Sequence, residues 1–165
     1  MIQIIYLIDC LERTPVILTN LLKHIPQGLI AERRIEHKWS IHEQVCHLTE
    51  AQDILIDRFQ KFEKEVNPLI EGYEPPSNRS TDYYFNLDMI KELDRFKQSR
   101  AKMTLMLKAY DENYWSKAGR HEAFTPYNTQ ILLTHCLNVD YAHIFSIEQL
   151  GFTKAEFSNQ IITVP

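Results

Sequence analysis

Four glycines and seven prolines are the only strong chain breakers in 165 residues. Sandwiches and barrels of short strands need turn residues about every 8–12 positions. A chain this poor in them must run in long uninterrupted elements, and in a globular protein these are helices. Hydrophobic residues make up 44% and charged residues 24% of the chain. That balance belongs to a chain that folds and excludes disorder. Its length suits a single domain over residues 1–165, large enough to bury a core without disulfides or a structural metal.

Four segments carry helix signals. The first runs from about Thr14 to Ile25, with Thr14 as an N-cap type, Pro15 in the first helical position and Pro26-Gln27-Gly28 as the stop. Residues 2–13 extend it irregularly, with a weak strand signal over 2–7. The second opens on Ser40-Ile41-His42-Glu43, a capping box, and runs through Val45, Leu48, Leu55, Phe59 and Phe62 to about Glu65. The third spans roughly Leu87 to Tyr110, with Met89, Leu93, Phe96, Met103, Leu107 and Tyr110 as its apolar stripe. The fourth starts at Thr125-Pro126 or Asn128-Thr129 and ends at Leu150, with Gly151 as its C′ residue. Thr153 begins a further short turn. The expected fold is an all-α four-helix bundle with a long polar crossover, residues 69–85, between its second and third helices. Such a crossover could return the chain to its starting end, so up-down-down-up and simple up-and-down orders both stay open.

A net charge of −4 and a pI near 6.0 offer no field for a phosphate backbone, so no nucleic-acid partner is expected. The apolar run Ile2–Ile8 is too short for a membrane span, and Asp9, Glu12 and Arg13 follow it at once. Cys10, Cys46 and Cys136 are odd in number and scattered, as reduced thiols are. The expectation is an unprocessed cytoplasmic protein with no membrane partner.

His24, His37, His42 and His121 fall near helix ends or in loops and read as solvated. His47, His135 and His143 fall inside helices. Ligands four apart on a helix can share an ion, because their side chains point the same way one turn apart. His135 and His143 are eight apart, about 12 Å of helix rise, and cannot both join His47 on one metal. Between them stands Val139, which coordinates nothing. The structural alternative makes His47 and His143 hydrogen-bonded core histidines. Cys46 and Cys136 adjoin histidines in sequence, but neighbours on a helix point about 100° apart and make poor nucleophile–base pairs. Tyr83-Tyr84-Phe85 either lines a pocket mouth or staples the crossover to the core.

Arg100 interrupts the apolar stripe of the third segment. Burying its charge unpaired costs on the order of several kcal/mol, so it must snorkel or find a carboxylate. Glu43 and Glu50 are candidate partners. The result is either a structural ion pair at the bundle edge or an anion-recognising group above the His47 pocket.

Trp39-Ser40-x-x-Glu43-x-x-x-His47-Leu48, following Arg13-Thr14-Pro15 and an apolar helix, resembles the DinB-like superfamily. His135-x-x-Asn138-x-Asp140-x-x-His143 resembles that family's last-helix pattern of histidines at intervals of four, and Trp115-x-x-x-Gly119 lies between the two motifs. The resemblance covers nearly the whole chain. It implies an up-down-down-up bundle with a divalent-metal site, Zn or Ni, and relatives that include S-transferases using low-molecular-weight thiols. Carried over by position, His47 and His143 are metal ligands and the middle ligand falls on Val139. Asp140, three residues before His143, is the candidate replacement, with Cys136 or a loop residue as further alternatives. His135, Arg100 and Glu43 are the expected surrounding groups. Two functions follow: a metal-dependent thiol S-transferase with an incomplete histidine triad, or a degenerate bundle that binds a small molecule or dimerises without metal chemistry. Homodimers are frequent in the family and are expected here.

Overall fold

A computed structural model describes residues 2–164. The chain runs α1 (Ile2–His24), α2 (Gln27–Ile30), α3 (Ile41–Lys64), β1 (Leu69–Ile70), α4 (Met89–Ala109), α5 (Glu112–Trp115), β2 (Ala118–His121), β3 (Tyr127–Asn128), α6 (Thr129–Phe152) and a closing 3-10 helix (Ala155–Gln160). Helices α1, α3, α4 and α6 form a four-helix bundle. Both α1 and α3 pack against α4 and α6, which puts α1 and α3 at opposite corners.

Three of the long helices start on side-chain caps that satisfy the first free backbone N–H groups. Ser40 and Glu43 close the capping box at the start of α3, Asp88 caps α4, and Asn128 caps α6. Helix α1 departs from expectation. It begins by Ile2 and passes straight through Pro15, so Thr14 is no cap and residues 2–7 are not a strand. Ile4, Ile8 and Leu11 recur at helical spacing and are buried, and that packing outweighs the proline. Pro15 has no N–H for the Leu11 carbonyl. That carbonyl instead accepts from Nη1 of Arg100 at 3.0 Å.

Gly151 lies inside α6 and not beyond its end. A Cβ there would meet Ile25 at 2.7 Å, so the glycine lets α6 approach the end of α1. The strands were not anticipated. They form one small sheet in the order β1-β2-β3, with β1 parallel and β3 antiparallel to β2. They are too short for a two-residue alternation to show in the sequence. Gly119 sits on β2 where a Cβ would come within 2.6 Å of the fully buried Phe62 ring and 3.2 Å of the Pro68 carbonyl oxygen. Gly119→Ala is therefore expected to cost about 1–3 kcal/mol, read as a lower urea midpoint.

The apolar core forms two clusters. Leu11, Leu55, Phe59, Met103, Leu107 and Leu133 belong to one, and Leu18, Val45, Leu48, Phe96, Ile147 and Leu150 to the other. No described helix is long and apolar enough to cross a membrane.

Candidate functional site

His47 on α3 and His143 on α6 face each other across two neighbouring helices, with ring centroids 4.8 Å apart. Trp39, just before the α3 cap, covers both. Its ring lies 4.6 Å from His47 and 6.4 Å from His143, close to parallel with the latter. Tyr84, from the long connection, stands edge-on to His47 at 5.2 Å.

Hydrogen bonds set the tautomers. The Tyr84 hydroxyl donates its one hydrogen to the Glu50 carboxylate, which can only accept. At 2.9 Å from Nδ1 of His47 it must therefore accept, so that nitrogen carries the proton and Nε2 keeps a bare lone pair. Nδ1 of His143 donates to the Gln44 side-chain oxygen, with the same consequence for its Nε2. Arg79 binds Glu50 through both guanidinium ends, at 2.9 and 2.6 Å. Although burial pushes the Glu50 carboxyl upward, bonds from Arg79, Tyr84 and Tyr73 hold it below the usual carboxylate range. Arg79, Glu50, Tyr84 and His47 thus form a chain that orients one imidazole.

Burial pushes His47 down to about 4 and His143 to about 3, and for His143 the nearby His47 adds to it. The unfolded chain takes up these protons near pH 6.5 and the folded chain only near 4 and 3. Their contribution is complete above pH 6.5, and stability falls as the pH drops below it. The imidazole C–H resonances of both residues are expected to stay flat from pH 8 to 5. Titration near 6.5 in the folded protein would contradict the burial argument.

The two rings sit where two lobes of a cleft meet. One lobe, of about 780 Å³, lies among Trp39, Tyr73, Pro76, Arg79 and Tyr84. The other, of about 410 Å³, lies among Arg58, His121, Phe124 and His135. His47, Tyr73, Val139 and His143 line both. Chemically, the junction presents two neutral acceptors that can take a hydrogen bond or act as general bases. Tyr84 lines the cleft, while Phe85 lies against His42 and Arg33.

Arg100 and Asp140 are placed elsewhere. They form a buried bidentate ion pair, 1% and 2% exposed, with Nη2 at 3.0 Å from one carboxylate oxygen and Nη1 on the other. Arg100 also donates to Gln52 at 2.8 Å and to Thr14 at 2.7 Å, and Thr14 donates to Asp140. Burial works against the guanidinium's charge, but Asp140 outweighs it and holds the pKa above its ordinary value. The expected partners of Arg100 are otherwise engaged: Glu43 in the capping box and with Arg33, Glu50 with Arg79. Glu43 lines neither lobe of the cleft. Cys46 and Cys136 are buried, and burial pushes both thiols up to about 12, so neither is a ready nucleophile.

The DinB superfamily profile matches residues 11–154. The chain belongs to the DinB superfamily. Among solved structures it is similar to YfiT from Bacillus subtilis, described as a probable metal-dependent hydrolase with an unusual four-helix bundle topology. The two are 18% identical with a TM-score of 0.73, over 88% of this chain and 83% of that one, which shows a common fold. No curated protein sequence matches the chain.

The metal that the DinB resemblance implies does not fit this donor set. His47 and His143 offer lone pairs, but Val139 stands at the middle position and Asp140 is bound by Arg100 and Thr14. Among the described residues, no group of three or more His, Cys, Asp or Glu side chains is placed to hold an ion. Several groups in and behind the cleft of this DinB chain were missed from sequence, Tyr73 and Arg79 among them. His121 reads as solvated but lines the second lobe, Arg58 carried no signal at all, and Gln44 is the partner of His143. Gln44 left no trace either, because it follows His42 and Glu43 in a polar stretch where one more amide does not stand out.

Proposed function

We propose that this chain is a small-molecule-binding member of the DinB superfamily whose cleft works without a resident divalent ion. The observation that carries the reading is the donor set: two histidine lone pairs, a valine in the middle position, and an aspartate committed to a buried arginine. Most structural zinc sites take four protein ligands and catalytic ones three, and two imidazoles fall short of either.

A second reading is favoured by one feature. Both histidines have Nδ1 tied to a protein group and Nε2 free, the arrangement by which a hydrogen bond behind the ring orients a metal ligand. Under that reading the chain is a divalent-metal enzyme, a thiol S-transferase as some relatives of the family are or a hydrolase as YfiT is described to be. The expected homodimer and cytoplasmic location are compatible with either.

Metal titration separates the two. Untagged protein, washed with chelator and then offered Zn or Ni, is expected to retain well below one equivalent through gel filtration and to melt at an unchanged temperature. One retained equivalent with a raised melting temperature would establish the second reading.

A further inference from the structure

The two lobes and their junction differ in hydrogen-bonding character, and the tautomers show how. In the second lobe the Ala123 backbone N–H donates to Nδ1 of His121 at 3.0 Å, so the neutral ring carries its proton on Nε2 and is a donor. Arg58 donates one N–H to the Glu71 carbonyl at 2.8 Å and pairs with no carboxylate among the described residues. The Glu122 carboxylate accepts the Gly72 N–H at 2.9 Å. Beyond burial itself, the charge of Arg58 helps to keep His121 and His135 unprotonated. This lobe is rich in donors, whereas the junction at His47 and His143 offers only acceptors. Apolar side chains, Ile54, Leu55, Phe124 and Val139, line the same lobe.

We propose that the cleft takes an elongated small carboxylic acid, its carboxylate on Arg58 and Nε2–H of His121, and a hydroxyl or N–H at its other end donating to Nε2 of His47 or His143. One guanidinium and one imidazole N–H match the two oxygens of a carboxylate and its single charge. A phosphate dianion would meet only one full positive charge there and would be left with its second charge unpaired. The far end must be a neutral donor, because a cation there would be buried with no free carboxylate to pair with, Glu50 being held by Arg79. The apolar walls call for a carbon skeleton between the two ends. The spacing asks for an extended one, since Arg58 and His47 stand eleven residues apart on α3, about 16 Å of helix rise. This inference rests on the metal-free reading, because an ion would occupy the same two lone pairs.

Calorimetry with 3-(4-hydroxyphenyl)propanoate tests it on chelator-washed protein, beside 3-phenylpropanoate, which lacks the donor, and the methyl ester, which lacks the charge. Each truncation is expected to raise Kd about tenfold. Arg58→Gln, at a half-buried surface position, is expected to bind acid and ester alike while keeping the preference for the hydroxyl. His143→Phe should do the reverse, with a circular dichroism melt confirming that it folds. Equal binding of all three compounds, no binding of any, or an Arg58→Gln protein that still prefers the acid would overturn the proposal and leave the metal-free reading standing. Binding that appears only after Zn is added would overturn both.

Discussion

Arg100→Ala is expected to lower the unfolding free energy by about 3–5 kcal/mol, because it leaves Asp140 charged, buried and unpaired. For a chain of this size that is a fall in melting temperature on the order of 10 °C. The position of Arg100 explains the size. Its guanidinium reaches the Leu11 carbonyl and Thr14 on α1, Gln52 on α3 and Asp140 on α6, so one side chain on α4 ties all four bundle helices together. This polar layer also falls at the boundary between the two apolar clusters. Thr14 lies between Leu11 and Leu18, Gln52 between Leu48 and Leu55, Arg100 between Phe96 and Met103, and Asp140 between Leu137 and Ile147. Asp140→Ala should be at least as damaging, since it strands a guanidinium that cannot deprotonate. Replacing both, Arg100→Met with Asp140→Leu, is expected to recover most of the loss, because it removes the buried charges together. Urea melts of the three variants check the ordering. Single variants costing less than about 1 kcal/mol would mean that water reaches the layer.

How much of this was legible follows from the reach of each signal. The starts of α3, α4 and α6 are local chemistry, a short polar side chain ahead of an apolar stripe. Ser40-x-x-Glu43 and Asn128-Thr129 show it without reference to the rest of the fold. Arg100 was half legible. Its place in an apolar stripe required a partner, but spacing along one helix could not choose Asp140, forty residues away on a helix that is not a close neighbour of α4. Glu43 and Glu50 were the nearer guesses, and two other arginines hold them. Pro15 misled because a proline ordinarily marks a first helical turn. Here tertiary packing of Ile4, Ile8 and Leu11 carries the helix through it, and a side chain from another helix uses the carbonyl it frees. The facing of His47 and His143 came from the family pattern and not from spacing. The second lobe was invisible, since Arg58, His121 and His135 meet only after α3, β2 and α6 have assembled.

Val139→His is expected to turn the histidine pair into a metal site and to make the protein's melting temperature depend strongly on Zn or Ni. Val139 is half-buried and lines both lobes, so an imidazole there has open space to enter and needs no repacking of the core. It stands four residues before His143, the spacing at which two helical side chains share one face, and His47 supplies a third imidazole from α3. Both existing rings already have Nδ1 tied to Tyr84 and Gln44, so neither must change tautomer to offer Nε2. Without metal the variant should lose about 1–3 kcal/mol, because a polar imidazole replaces a half-buried apolar side chain on the cleft wall. With the ion at a thousand times its Kd, binding restricted to the folded state returns about 4 kcal/mol, more than the substitution removed. Four melting curves decide the matter: wild type and variant, each with chelator and with metal. A metal-dependent rise confined to the variant means that the bundle keeps the geometry of a three-histidine site and that one side chain separates it from metal binding. An equal rise in wild type means that a further group completes the site, and the metal-free reading fails. No rise in either means that the two bare nitrogens do not converge on a common point. The cleft would then be a hydrogen-bonding site alone, whichever residue stands at 139.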